Sequence, residues 1–172
     1  MRDRLTLLLL GIIAVALVGV CFLAQRKAAV TLATPGAELQ LEGGFGRGLI
    51  LRSGSPPTPV RARAYRPTSL TLTREQDGAT WQLRSWGPWG QLARISLPRG
   101  RTTTLEVGPP LQIKPQVEVY PGQVRMALGL FGRAGEKYEN SILKNHQRIP
   151  GPQVKILDEA GTLLASGQFQ YG

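Results

Sequence analysis

The chain of 172 residues contains one cysteine and one histidine. Cys21 lies within an apolar stretch, so the rest of the chain can form neither a disulfide nor a thiolate metal site. His146 has basic neighbours, and no G-x-S-x-G motif accompanies it, so the sequence offers no recognisable Ser–His nucleophile. A lone histidine in such a setting is typical of a solvated loop. We therefore predict a non-enzymatic protein with no cofactor.

Acidic residues are scarce in the first half of the chain. Ten arginines between residues 44 and 101 face only Glu75 and Asp77, whereas seven basic residues face six acidic ones from residue 102 to 172. Such a basic excess favours contact with anionic surfaces such as lipid headgroups.

Oxygen ligands for a metal are equally few. Glu136, Glu139 and Asn140 offer two carboxylates, fewer than a calcium loop provides. Asp158 and Glu159 are typical of a turn. We predict no metal site.

The dominant feature is an uncharged run at residues 5–24, LTLLLLGIIAVALVGVCFLA. Twenty residues form a helix about 30 Å long, which matches the hydrocarbon thickness of a bilayer. The run predicts one transmembrane helix within a signal anchor at residues 1–27. Positions along it are Leu5, Leu10, Ile13, Val18, Cys21 and Ala24.

Two alternatives to an uncleaved anchor remain open. A signal peptide could be cleaved late, at residues 31–33, which would make the protein secreted or periplasmic. Cys21 could carry a lipid, although Val20 precedes it rather than a small residue. Basic residues flank the run on both sides, but a short amino-terminal tail before a long domain is the usual layout of a signal anchor. We place the carboxy-terminal domain outside the cytoplasm on a single-pass anchor in the cell membrane, and expect no nucleic-acid partner.

Residues 28–66 are rich in Gly, Pro and Ser, with GGFGRG at 43–48 and SGSPPTP at 53–59. This composition predicts a stalk, to which residues 48–52 and 60–65 add short strands and an edge for the following domain. A short stalk holds the domain near its membrane. The arginines then predicted to sense anionic headgroups are at positions 47, 52, 61, 63 and 66.

From residue 67 to 172 short alternating runs and turn residues predict an antiparallel β-sandwich. Asp77-Gly78 predicts a hairpin turn. Residues 132–153 predict a long loop, which in compact domains is often functional. The predicted strands after the hairpin are residues 92–97, 102–107, 111–113, 117–120, 124–130, 154–157 and 162–169.

Alternation also predicts which side chains face the core. The residues expected inside are Leu70, Leu72, Trp81, Leu83, Ile95, Leu97, Leu105, Val107, Val117, Val119, Met126, Leu128, Leu130, Val154, Ile156 and Phe169. Those expected in water are Thr71, Gln82, Arg84, Glu106, Glu118, Arg125 and Lys155.

Four segments carry a resemblance: LEVGPPL at 105–111, AGEKY at 134–138, IPGPQVKILDEAG at 149–161 and SGQFQYG at 166–172. Together they resemble modules of uncharacterised exported or membrane-anchored bacterial proteins, and more broadly immunoglobulin-like and carboxypeptidase-regulatory-like sandwiches. The resemblance implies a β-sandwich and no catalytic residues. Such modules often continue past the final tyrosine-glycine, so whether the chain is naturally complete at Gly172 stays open.

The most suggestive surface motif is SWGPWG at residues 85–90. Two tryptophans three apart on a turn cannot both point inward as strand residues would. Either Trp86 and Trp89 close one end of the sandwich, or an exposed ring offers a sugar-stacking contact framed by Arg84, Arg94 and Arg99. The sequence therefore supports two alternative hypotheses for function: an adaptor or structural module for another envelope protein, or a module that binds carbohydrate.

Overall fold

The computed structural model describes residues 27–44, 48–139 and 142–170, and this part of the chain is all-β. The predicted fold class is confirmed at that level, with one short 3-10 helix at Gly90–Ala93. The strands are β1 (Lys27–Leu32), β2 (Ala37–Gly43), β3 (Gly48–Arg52), β4 (Thr58–Arg61), β5 (Ala64–Gln76), β6 (Ala79–Ser85), β7 (Ile95–Ser96), β8 (Thr102–Leu105), β9 (Gln112–Tyr120), β10 (Gln123–Phe131), β11 (Lys137–Tyr138), β12 (Leu143–Lys144), β13 (Gln147–Arg148), β14 (Gln153–Leu157) and β15 (Leu163–Gln168).

The helix predicted for residues 5–24 lies outside the described residues. Within the described ranges, no helix is long and apolar enough to cross a membrane.

The largest sheet, here called the main sheet, is antiparallel with the order β13-β12-β6-β5-β2-β3, and β7 pairs with β5. The β5–β6 hairpin turns at Asp77 and Gly78, as the sequence predicts. Both residues have positive φ, 52° and 69°, which suits a two-residue turn that follows the twist of the strands.

A second sheet, here called the small sheet, has the order β4-β1-β8. β1 pairs antiparallel with β4 but parallel with β8, with Val30 opposite Thr103. The antiparallel arrangement predicted for residues 67–172 therefore does not extend to this pair, because β1 lies outside that range. Alternation reports which side chains share a face and carries no information about strand direction.

One apolar core joins the two sheets. It includes Val30 from β1, Leu39 and Leu41 from β2, Leu51 from β3 and Leu70 from β5, each at most 2% exposed. Four of these five residues lie in the segment predicted as a stalk.

The structure thus corrects the domain boundary. Residues 28–66 supply four strands and the start of a fifth, and the Gly- and Pro-rich stretches are the connections between them. Pro59 lies within β4, at the edge of the small sheet, where the missing N–H costs no ladder hydrogen bond. Gly and Pro punctuate strands as readily as they make linkers, and here they do the former.

The predicted core of the second half is only partly correct. Leu70, Leu72, Ile95, Leu97, Leu105 and Val107 are buried. Val117 and Val119 are exposed, which corrects their assignment to the core. The half-buried members are Trp81, Leu83, Met126, Leu128, Leu130, Val154, Ile156 and Phe169.

The expected polar positions are exposed at five of seven sites, while Thr71 and Gln82 are half-buried. The predicted long loop at 132–153 also differs, because it contains β11, β12 and β13, and β12 extends the main sheet beside β6.

Candidate docking surface

The β9–β10 hairpin places all its large aliphatic side chains on one face. Residues directly opposite each other on antiparallel strands share a face, and the register pairs Val119 with Val124 and Val117 with Met126. The same alternation places two further pairs, Pro115 with Leu128 and Ile113 with Leu130, on that face. We call these eight residues the apolar hairpin face.

The apolar hairpin face is largely uncovered by the described part of the chain. Ile113 is 68% exposed, Val119 75%, and Val117 and Val124 51% each. Monomeric proteins rarely expose contiguous apolar patches larger than a few hundred Å², and such patches mark interaction sites. Four strongly exposed aliphatic side chains on one two-stranded ribbon make this the main candidate site.

The opposite face of the hairpin is suited to water. Glu118 lies opposite Arg125, and the Tyr120 hydroxyl donates to the Glu118 carboxylate at 3.0 Å. The Lys114 ammonium lies 5.0 Å from the ring centre of Phe131. The hairpin is therefore amphipathic: one face carries polar and charged side chains suited to water, and the other carries apolar side chains that no described element covers.

The two edges of this hairpin are not equivalent. β9 carries Pro115, and a proline discourages a further strand from adding there. β11 pairs with β10 only at Leu130 and Phe131. The outer backbone edge of β10 from residue 123 to 129 pairs with no other described strand, and that segment has no proline.

A groove of about 940 Å³ continues the apolar surface at the base of the hairpin. Ile113 and Leu130 belong both to the groove and to the apolar hairpin face. Its other apolar walls include Leu72, Leu83 and Trp81, and the Lys144 ammonium lies 5.2 Å from a ring centre of that tryptophan. Arg133 and Glu106, which form an ion pair, also line the groove, so its walls contain charged as well as apolar side chains.

A buried carboxylate fixes the base of the hairpin. Glu136 is fully buried, and its Oε1 accepts hydrogen bonds from the Gly108 N–H at 2.6 Å and the Tyr138 hydroxyl at 2.8 Å. Its Oε2 accepts from the Ala134 N–H at 3.0 Å. Gly108 precedes β9 and Ala134 follows β10, so one side chain ties together the two ends of the hairpin.

The same cluster perturbs a tyrosine. Burial, followed by the negative charge of Glu136, raises the pKa of the Tyr138 phenol well above its ordinary value. A neutral phenol that donates to a buried carboxylate satisfies both groups. Sequence reasoning considered Glu136 only as a weak calcium ligand, whereas both its oxygens bind protein donors.

The tryptophan loop separates its two rings. Trp86 is 58% exposed, whereas Trp89 is half-buried and packs against the core. The buried Ser85 hydroxyl donates to the Lys137 carbonyl at 2.6 Å and accepts from the Gly87 N–H at 3.3 Å, which holds the turn against β11. Only one of the two rings is thus presented to solvent.

The arginines predicted to frame this loop are also divided. Arg84 and Arg94 are exposed near the loop in sequence, at the end of β6 and after the 3-10 helix. Arg99 follows Leu97, whose N–H bonds to the Arg63 carbonyl, whereas Ser85 lies opposite Leu70. Leu70 follows Arg63 by seven residues, roughly 20 Å at the strand rise, so Arg99 does not frame the loop.

His146 forms a turn with Asn145. Both residues have positive φ between β12 and β13, and the Asn145 side chain accepts from the Thr80 N–H at 2.9 Å. Asp158 likewise accepts from the Thr162 N–H at 2.7 Å in the turn between β14 and β15, and this bond lowers the pKa of its carboxyl. Among the described residues, no three His, Cys, Asp or Glu side chains group as a metal site.

Sequence reasoning predicted the two strands of the hairpin but missed the surface. The detectable signal was the polar set on alternate positions of β9, together with Pro115, which marks an edge. No family model, curated protein or solved structure matches the chain.

Proposed function

We propose that this chain is a membrane-anchored β-sandwich module outside the cytoplasm that acts as a non-enzymatic adaptor, binding an extended strand of another envelope protein. The observation that carries the proposal is the exposed apolar hairpin face beside an open β10 edge. The uncharged run at residues 5–24 supports the anchor, since its length fits a bilayer. Cleavage after export would release the same module.

The energetics of the hairpin favour a partner. An isolated two-stranded hairpin is only marginally stable in water, and this one leaves the outer part of its apolar face uncovered. Covering apolar surface contributes about 25 cal/mol per Å², so a partner on this face stabilises both itself and the hairpin.

The occupant we propose is a strand with alternating apolar side chains. The open edge of β10 offers backbone donors and acceptors, which is how a sheet captures an extended peptide. Apolar side chains on the added strand would continue the apolar hairpin face and reach the groove beneath it.

A second copy docked through the hairpin alone fits less well. Nine residues at about 3.4 Å each give a face about 30 Å long and only two strands wide. That area falls short of the roughly 800 Å² per partner that stable interfaces bury, and face-to-face docking, unlike an added strand, would leave the β10 backbone edge unpaired.

Site-specific photo-crosslinking in intact cells tests the proposal. A photoreactive residue at Val117 should crosslink to an extended segment of one discrete partner. Substituting Val119→Thr and Val124→Thr keeps the side-chain shape while making the face polar, and should reduce that crosslink about tenfold. Gln116→Thr, on the solvent face, is the matched control and should leave it unchanged.

Three outcomes would contradict the adaptor. They are crosslinks confined to a second copy, crosslinks confined to lipid, and a yield that the paired threonines do not alter. Circular dichroism of each variant establishes that the fold is retained.

Carbohydrate binding is the second candidate, favoured by the exposed Trp86 ring. Because Trp89 packs on the core, such a site would rest on one stacked ring with Arg84 or Arg94 nearby. Glycan-array binding that is unchanged in Trp86→Ala would remove this candidate.

A further inference from the structure

Four cationic residues lie at one end of the small sheet. Lys27 at the start of β1 lies opposite Arg61 of β4. The Lys27 carbonyl accepts from the Gly100 N–H at 2.9 Å, and the Ala29 N–H donates to the Arg101 carbonyl at 2.9 Å. The turn that carries Arg99 and Arg101 therefore lies beside the first residue of β1. We call Lys27, Arg61, Arg99 and Arg101 the basic end.

The described elements that form the basic end contribute no acidic residue. β1, β4 and β8 contain no Asp or Glu, nor does the turn at residues 98–101. Both ion pairs found in the described ranges lie elsewhere, between Arg52 and Glu38 and between Arg133 and Glu106. All four side chains of the basic end are exposed.

The length of chain between the apolar run and Lys27 limits how far the basic end can lie from that run. Lys27 follows Ala24 by three residues, which span at most about 10 Å. The Debye length at physiological salt is about 8 Å, close to this upper limit, so a bilayer surface that begins near Ala24 still attracts the charge of Lys27. The neighbouring turn and Arg61 are held beside it by the register of the strands.

We propose that the basic end binds the anionic lipid headgroups of the membrane that holds residues 5–24. This inference rests on the anchor of the proposed function and concerns a surface distinct from the apolar hairpin face. Clustered Lys and Arg beside a membrane span are attracted by anionic headgroups and are screened by salt. The proposal commits to headgroups because only two residues lie between Ala24 and Lys27, which keeps this end close to the bilayer.

The structure gives other partners to two of the arginines that sequence position suggested for this contact. Arg52 pairs with Glu38, and Arg63 donates to the Gly44 carbonyl and stacks over the Tyr65 ring at 5.0 Å. Arg47 of that set lies outside the described residues, and among the described members only Arg61 lies at the basic end. Arg99 and Arg101, almost forty residues further along the chain, complete it.

Headgroup binding would orient the whole domain. β1 runs away from the basic end to Leu32, and beyond it the Thr34 hydroxyl donates to the Val107 carbonyl at 2.6 Å, next to the base of the β9–β10 hairpin. Six residues of strand span roughly 20 Å. The hairpin base thus lies at the end of β1 that faces away from the bilayer.

The test uses the full chain in nanodiscs with an environment-sensitive fluorophore on Pro98→Cys in a Cys21→Ser background. One set of nanodiscs contains phosphatidylcholine alone, and the other includes phosphatidylglycerol. We expect a blue shift of the label only with phosphatidylglycerol, and its loss at high salt. Arg99→Gln with Arg101→Gln should weaken the surface-bound state about 25-fold, at about fivefold per charge.

Arg74→Gln with Arg125→Gln is the matched control, since it removes two exposed charges elsewhere and should leave the shift intact. A label insensitive to phosphatidylglycerol, a shift that survives high salt, or equal loss in both double variants would overturn the inference. Retention of the chain in the nanodisc is measured separately. A chain that remains inserted without the shift refutes headgroup binding alone, whereas a chain that fails to insert refutes both the anchor and the inference.

Discussion

Replacing Leu39 with alanine is expected to destabilise the domain strongly. Leu39 lies in β2, opposite Leu51 of β3 on one side and Leu70 of β5 on the other. Its side chain is fully buried, and the two partners are 2% and 0% exposed. The three leucines form a buried row across β5, β2 and β3 of the main sheet, so no solvent reaches the space that the substitution would open.

The magnitude follows from the buried atoms. Leucine to alanine removes three carbon atoms, each contributing about 0.8 kcal/mol of burial, or about 2.4 kcal/mol together. An unfilled cavity adds to this loss, and fully buried leucines span about 2–5 kcal/mol. We expect about 3 kcal/mol for Leu39→Ala, equivalent to a fall in melting temperature of about 10 °C for a domain of this size.

Urea unfolding of the full chain in detergent, followed by tryptophan fluorescence, measures the effect. Leu128→Ala is the matched control, because Leu128 is half-buried on the hairpin and should cost only about 1 kcal/mol. Sequence alternation predicts the opposite order, with Leu128 in the core and Leu39 in a stalk. A near-neutral Leu39→Ala beside a costly Leu128→Ala would refute the core described above.

Two further predictions concern the cluster at the hairpin base. The folded-state pKa of Tyr138 is raised above that of the unfolded phenol, so the neutral phenol contributes stability that is fully present below about pH 10. This contribution decreases as the pH rises beyond that value, by up to about 1.4 kcal/mol per pH unit. Tyr138→Phe should lack this component in unfolding curves between pH 9 and 11, and an identical slope in both proteins would contradict it. Glu136→Gln should lower the free energy of unfolding by about 1–3 kcal/mol, since the amide NH₂ would face an N–H group that now donates a hydrogen bond to the carboxylate. Glu106→Gln, in an exposed ion pair, should change thermal stability by less than about 1 kcal/mol, and equal losses would rule out the special role of Glu136.

Alternation in the sequence predicts faces correctly and cannot say what covers them. It places Val117 and Val119 on one face of β9, and the register confirms that they share it with Val124 and Met126. Whether that face is buried depends on another element packing against it, which is a property of the whole fold. The candidate site therefore arises where a correct local pattern lacks the neighbour that a core requires.

The domain boundary was detectable in part. Val30 and Leu32 lie two residues apart, as do Leu39 and Leu41, and this alternation of apolar residues is the same signal that correctly predicts β5 and β6. The Gly- and Pro-rich stretches between these runs nevertheless favour a stalk, because linkers and the turns between strands have the same composition. The parallel pairing of β1 with β8 was not detectable, since it joins segments about seventy residues apart whose patterns carry no direction.

The small sheet sets the distance between the proposed membrane contact and the proposed docking surface. A flexible stalk would let the hairpin approach the bilayer, but β1 is hydrogen-bonded on both sides and its core residues are buried. The strand thus acts as a rigid spacer of roughly 20 Å from Lys27 to the level of Val107. A partner strand that reaches β10 must then be presented at least that far from the surface, which favours a partner with its own extracytoplasmic domain over a short loop at the bilayer.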